Sequence, residues 1–150
     1  MKNILSENFL VDSNILVYLL DKNSPFHHQV NAFFKTLIHR QVSVYIAQQN
    51  LLELLSVLTK KHQLAKHSAL QKVNLLAQEP LFHIISPLPE TFSSFLKLLK
   101  PLPSPDIYDV YLAATCLDNG IKAILSNNPK DFANMKGLKV YGLKQLANFA

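Results

Sequence analysis

The feature that most narrows the fold is an alternation of short apolar runs with longer stretches of helical period. Phe9-Leu10-Val11, Val42 to Ile46, Leu81 to Ile85, Lys122 to Leu125 and Leu138 to Tyr141 have the length and character of strands, the last of them an edge strand. Between them, Phe26, Val30, Phe33, Phe34, Leu37 and Ile38 predict a helix over Pro25 to Arg40, with Ser24 as cap and Pro25 at its first position. Asn50 to Lys61 and Ser68 to Gln78 predict two more. Phe92, Phe95, Leu96, Leu98 and Leu99 keep a helical rhythm between two proline-marked loops, and Ser104-Pro105-Asp106 opens a further helix that stops at Asn119-Gly120. Pro129 to Phe132 reads as a short turn or helix, and Leu143 to Phe149 as a closing helix. Such alternation is the pattern of helices on both faces of a mostly parallel sheet, a three-layer α/β/α sandwich.

With 150 residues, 49% of them hydrophobic, the chain has material for one core, and a single domain over 1–150 is expected. No apolar run approaches the roughly 18 to 20 residues that cross a bilayer. Met1 to Asn8 lacks the charged-then-apolar order of a signal peptide, so a cytoplasmic protein without membrane contact is expected. The one cysteine, Cys116, sits in the apolar stretch Tyr111 to Leu117 and reads as a small core residue. Fifteen Lys and Arg against ten Asp and Glu give a formal charge of +5, which suits an anionic partner. The cations are spread along the chain, however, and a solvated basic surface accounts for them as well. His62 and His67 are five apart, lack the zinc-protease spacing, and read as exposed helix residues.

The acids are more selective. Three of them have apolar neighbours on both sides: Val11-Asp12-Ser13-Asn14-Ile15, Leu52-Glu53-Leu54 and Tyr108-Asp109-Val110. Drawing a carboxylate toward a core is costly unless a partner or a metal compensates. Asp12 stands at the carboxyl end of the first strand, where open α/β sheets place their ligand crevice. Glu53 begins a helix after the second strand. Asp109 lies one turn from Asp106, and Ala113 and Cys116 on that face allow close helix approach.

Each acid also has a plainer reading. Asp12 is a fit turn cap, Glu53 fits a polar stripe of Asn50, Glu53, Ser56 and Lys60, and Asp109 suits the helix dipole. Taken together, three carboxylates on strand ends and helix starts are hard oxygen ligands for Mg²⁺ or Mn²⁺, which in turn hold phosphate oxygens. Such ions stabilise an in-line displacement at phosphorus and lower the pKa of a bound water; a pair about 3.5 to 4 Å apart serves both the attacking and the leaving oxygen.

At these residues the sequence resembles the PIN-domain family, and especially its VapC-like toxin branch. Leu10-Val11-Asp12-Ser13-Asn14-Ile15-Leu16-Val17-Tyr18 looks like the opening motif, Asn50 to Leu58 like the second, and Asp106 to Ala114 like the third. The resemblance implies a PIN-like sandwich and a metal-dependent endoribonuclease that cleaves RNA by metal-activated water as the toxin of a toxin–antitoxin pair. Asp12 and Asp109 would be the principal ligands, Glu53 a further ligand or water holder, and Asn14 a brace for Asp12. A cognate antitoxin and a homodimer are implied as well, with the sheet edge and the helices Pro25 to Arg40 and Asn50 to Gln78 as candidate contacts. The fourth motif appears as Ser126-Asn127-Asn128-Pro129-Lys130-Asp131-Phe132, with Asn128 where the four-acid version has a carboxylate. Either Asp131 or Asp106 makes up the charge, or the enzyme depends mainly on one ion. Ser126 and Asn128 would orient a phosphate or water, or serve only as turn residues.

Two other classes compete. An aspartyl phosphatase would need a second acid two residues after Asp12, where the chain has Asn14. An RNA-binding PIN relative with a weak or inactive site is the reading that Asn128 keeps open.

Overall fold

The computed structural model describes residues 3–149, so residues 1, 2 and 150 of the expected 1–150 domain lie outside the described residues. Five strands, β1 (Leu10–Val11), β2 (Val44–Ala47), β3 (Phe82–Ile85), β4 (Ala123–Leu125) and β5 (Lys139–Tyr141), form one sheet in the order β3-β2-β1-β4-β5. Every pairing is parallel, so the sheet is wholly rather than mostly parallel. Six α-helices connect the strands: α1 (Ser13–Leu20), α2 (His27–His39), α3 (Gln48–Lys60), α4 (Lys66–Gln78), α5 (Thr91–Leu99) and α6 (Ile107–Asp118).

Side chains alternate along each strand and divide the core into two layers. Phe9, Val11, Val44, Ile46, Phe82, Ala123, Leu125 and Tyr141 face α1 to α4 and the closing turn. Leu10, Ala47 and Ile124 face Val110, Ala113 and Cys116 of α6 and Phe95 of α5. This is the expected three-layer sandwich. Phe33 anchors the larger layer, with its ring 6.1 Å from Phe9 and 5.1 Å from Phe149, and burying side chains of this size is worth about 1.5–3 kcal/mol each.

The chain first winds outward, from β1 to β2 to β3, and then returns through α5 and α6 to β4 on the other side of β1. The winding reverses between β1 and β4, and the crevice of a doubly wound sheet lies at the carboxyl ends of such a pair. Asp12 directly follows β1 and Ser126 directly follows β4.

Several boundaries differ from the sequence reading. α1 is a helix that the apolar run Ser13 to Leu20 does not announce, because apolar residues on nearly every side leave no helical period. α2 starts at His27, two residues past Pro25: Ser24 Oγ accepts from the Phe26 N–H at 3.2 Å in the preceding turn and does not cap the helix itself. α3 starts at Gln48, which puts Glu53 in its second turn. The short turn or helix read at Pro129 and the closing helix Leu143–Phe149 are both present, each as 3₁₀ helix. The stop of α6 is as expected: Gly120 takes φ +77°, and the Ile121 N–H reaches the Cys116 carbonyl at 3.0 Å in a Schellman closure. Among the described residues, no helix is long and apolar enough to cross a membrane.

Candidate active site

Asp12 is the N-cap of α1, and its Oδ1 accepts from the Ser13 N–H at 2.7 Å. The turn-cap reading is therefore true of one oxygen. The other oxygen has a different environment: Oδ2 accepts from Ser126 Oγ at 2.8 Å and from Asn14 Nδ2 at 3.3 Å. The residue is only 7% exposed, and burial is the main reason its carboxyl is raised above the usual range; the nearby Glu53 charge adds to this, while the Ser126 and Ser13 bonds oppose it.

Ser126 is fully buried and its hydroxyl is committed three ways. It donates to Asp12 and accepts from Asn14 Nδ2 at 3.2 Å and from the Asn128 N–H at 3.0 Å. Of the two roles set out above for Ser126, these bonds are those of a residue that positions Asp12 and the turn after β4. Asn14 completes the brace by accepting from the Asn127 N–H at 3.1 Å, so the ends of β1 and β4 are joined through side chains. The Asn128 side chain is exposed.

Glu53 reaches the same place from α3. The Ser13 hydroxyl donates to Glu53 Oε2 at 2.7 Å and lies 3.4 Å from Asp12 Oδ1, linking two acids 41 positions apart in the chain. Gln49, one turn before Glu53, donates through Nε2 to Glu53 Oε1 at 2.9 Å and to the Tyr108 carbonyl at 2.9 Å, which ties α3 to the start of α6. Glu53 is thus no member of a solvated stripe, and Asn50 on the same helix is fully buried, its Oδ1 accepting from the Ala47 N–H at 2.9 Å.

Asp109 enters from the first turn of α6. Asp106 is the N-cap of that helix, and its Oδ1 accepts from the Tyr108 N–H at 2.9 Å and the Asp109 N–H at 3.2 Å. Desolvation, followed by the charges of Asp106, Asp12, Asp131 and Glu53, lifts the half-buried Asp109 carboxyl from an ordinary 3.8 to about 7. The other four acids singled out in the sequence therefore all bear on Asp109. Among the described residues, the ion pairs are His62 with Asp21 and Lys139 with Glu7, so no lysine or arginine is ion-paired with the group.

A family model for the PIN domain matches residues 9–138. The chain belongs to the PIN-domain family. Solved PIN structures resemble it along nearly their whole length. VapBC2 from Rickettsia felis, bound to a DNA fragment from its promoter, has a TM-score of 0.69 at 19% identity, covering 89% of this chain and 97% of that one. DNA-bound VapBC from Salmonella typhimurium has a TM-score of 0.69 at 16% identity, covering 91% and 98%. VapC20 of Mycobacterium tuberculosis, a Sarcin-Ricin loop cleaving toxin, has a TM-score of 0.64 at 12% identity, covering 87% and 98%. Identities this low establish the fold. No curated protein sequence matches significantly.

Within this PIN domain, the donors open to a divalent cation are the carboxylates of Asp12, Glu53 and Asp109, with Asp106 and Asp131 beside them. Their chemistry fits the ion, since hard oxygen ligands in a partly desolvated, uncompensated cluster are what Mg²⁺ and Mn²⁺ take. The set is not closed, however: among the described residues, no three such side chains already stand at metal-binding distance. Ser13 and Gln49 are the positioning residues that the sequence reading missed. Their only signals are adjacency to Asp12 and helical spacing from Glu53. His62, His67 and Cys116 stand apart from this chemistry. His62 lies in the turn after α3 rather than on a helix, and His67 is exposed on α4. Cys116 is buried, with its thiol pushed up to about 12 by burial.

Proposed function

We propose that this PIN domain is a metal-dependent endoribonuclease, acting on RNA as the toxin of a toxin–antitoxin pair. The observation that carries the reading is the approach of Asp12, Glu53 and Asp109 to one another at the β1/β4 switch point, with no ion pair to a lysine or arginine among the described residues. A Mg²⁺ or Mn²⁺ ion held by Asp12 and Asp109, with Glu53 as a further ligand or water holder, would stabilise charge at phosphorus and acidify water.

The chain's own residues do the positioning. Ser126 and Asn14 fix the direction of Asp12 Oδ2. Ser13 and Gln49 hold one oxygen of Glu53 each, leaving each oxygen capacity to accept a second hydrogen bond, as from an attacking water. Asp106 ties down the first turn of α6 and with it the backbone of Asp109. The Asn14 amide donates to Asp12 and offers no second acid, which argues against an aspartyl phosphatase.

Support for the partners comes from the neighbours, several of which are VapBC toxin–antitoxin complexes. A cognate antitoxin and a second copy of the chain both need apolar surface. Ile38 and Leu75 supply it on α2 and α4, and Leu52, Ile107 and Tyr108 supply it around the acids. The net charge of +5 suits RNA, and we place the protein in the cytoplasm, where both partners are found.

The test is incubation of the purified protein with a mixed RNA pool and Mn²⁺, beside Asp12→Asn and Asp109→Asn. Cleavage by the parent alone is expected. Equal activity in all three would overturn the mechanism. RNA binding that persists in EDTA with no cleavage in either ion would instead make the chain an RNA-binding relative whose site is weakened by Asn128.

A further inference from the structure

A recess of about 200 Å³ opens beside the acids, between the loop that leads into α6 and the turn that follows β4. Its lining shares Asp106 and Asp131 with the cluster already described, and Asp106 is bonded to the Asp109 N–H at 3.2 Å. The walls are apolar: Leu102, Pro103 and Pro105 on one side, Met135 on the other. Ring-locked prolines hold their backbone without further ordering, and methionine adapts to a flat face. The remaining lining is Ser104, Asn134 and a single cation, Lys130.

Size and charge narrow what enters. The recess is below the roughly 300 Å³ at which drug-sized sites begin, so it has room for one ring system. Two carboxylates in the lining repel a phosphate. A nucleobase, by contrast, packs its faces on apolar walls and presents amino groups that carboxylates and amides accept. Only an unpaired, unstacked nucleotide can offer its base in this way. Lys130 then suits the phosphate attached to that nucleotide.

We propose that this recess binds the base of an unpaired nucleotide next to the cleaved phosphodiester, with Asn134 and Ser104 reading its edge and Lys130 holding its phosphate. The proposal rests on the ribonuclease reading above and gives it a source of sequence preference.

The experiment compares the parent with Asn134→Ala and Lys130→Ala, all three checked for parental circular dichroism. Cleavage of a randomised single-stranded RNA pool with Mn²⁺ is sequenced, and the four nucleoside 5′-monophosphates are titrated in EDTA while amide chemical shifts are followed. Asn134→Ala is expected to flatten base preference at one position by about fivefold or more. Lys130→Ala is expected to slow cleavage of all sequences alike and, with the cleavage repeated over a salt series, to reduce the salt slope by about one. In the parent, one nucleotide should shift signals of Ser104 and Asn134 more than the other three do. If the parent cuts and Asn134→Ala keeps its base preference, the recess proposal falls while the nuclease reading stands. If the parent cuts nothing, the nuclease reading falls, and nucleotides that shift no signal of the recess remove the proposal as well.

Discussion

Replacing Asp109 by asparagine should stabilise the ion-free protein while abolishing its activity. The Asp109 carboxyl titrates near 7 in the folded chain against an ordinary 3.8. The folded state therefore holds a proton that the unfolded state has already lost between those values, so stability falls as pH rises from about 4 to about 7 and is level above. A difference of about 3 pH units corresponds to about 4 kcal/mol at face value. Asp109 is half-buried, and screening by water reduces this to about 1–2 kcal/mol. Asparagine keeps the shape and removes the charge that Asp12, Glu53, Asp106 and Asp131 oppose. In EDTA at pH 8, thermal unfolding of Asp109→Asn should thus occur about 2–8 °C above the parent, and near pH 4 the two should coincide. Adding Mn²⁺ at pH 8 should raise the parent's Tm and leave the variant's unchanged. A variant no more stable than the parent at pH 8 would refute the claim that these acids repel one another in a desolvated cluster.

Two further substitutions follow from the hydrogen bonds. Ser126→Ala leaves buried Asp12, Asn14 and the Asn128 N–H each short of a partner, and should lower unfolding free energy by about 1–3 kcal/mol in urea titrations, with a larger loss of cleavage than Ser126→Thr shows. Asn128→Asp adds a fourth-motif carboxylate near the cluster; it should tighten Mn²⁺ binding by calorimetry and lower the Tm of the ion-free protein at pH 8.

The sheet was legible because its strands are short apolar runs separated by helices of clear period, and all five were placed to within two residues. α1 was not, since Ile15, Leu16, Val17, Tyr18, Leu19 and Leu20 form an unbroken apolar run that periodicity cannot tell from a strand or a buried loop. The three acids stood out by their apolar flanks. What holds them did not: Ser126 meets Asp12 across 114 positions and Ser13 meets Glu53 across 40, distances that only the tertiary fold closes. The polar stripe of Asn50 and Glu53 does not hold for the same reason, because Asn50 turns inward to the Ala47 N–H and Glu53 is claimed by α1 and by Gln49.

The most direct test of the account is a calorimetric titration of the purified protein with Mn²⁺ at pH 8, beside Asp12→Asn. The convergence of acids predicts a saturable site in the parent, release of about half a proton from Asp109 when the titration is repeated at pH 7, where that carboxyl is half protonated, and no such site in the variant. Parental affinity in Asp12→Asn, or no saturable site in the parent, would contradict it.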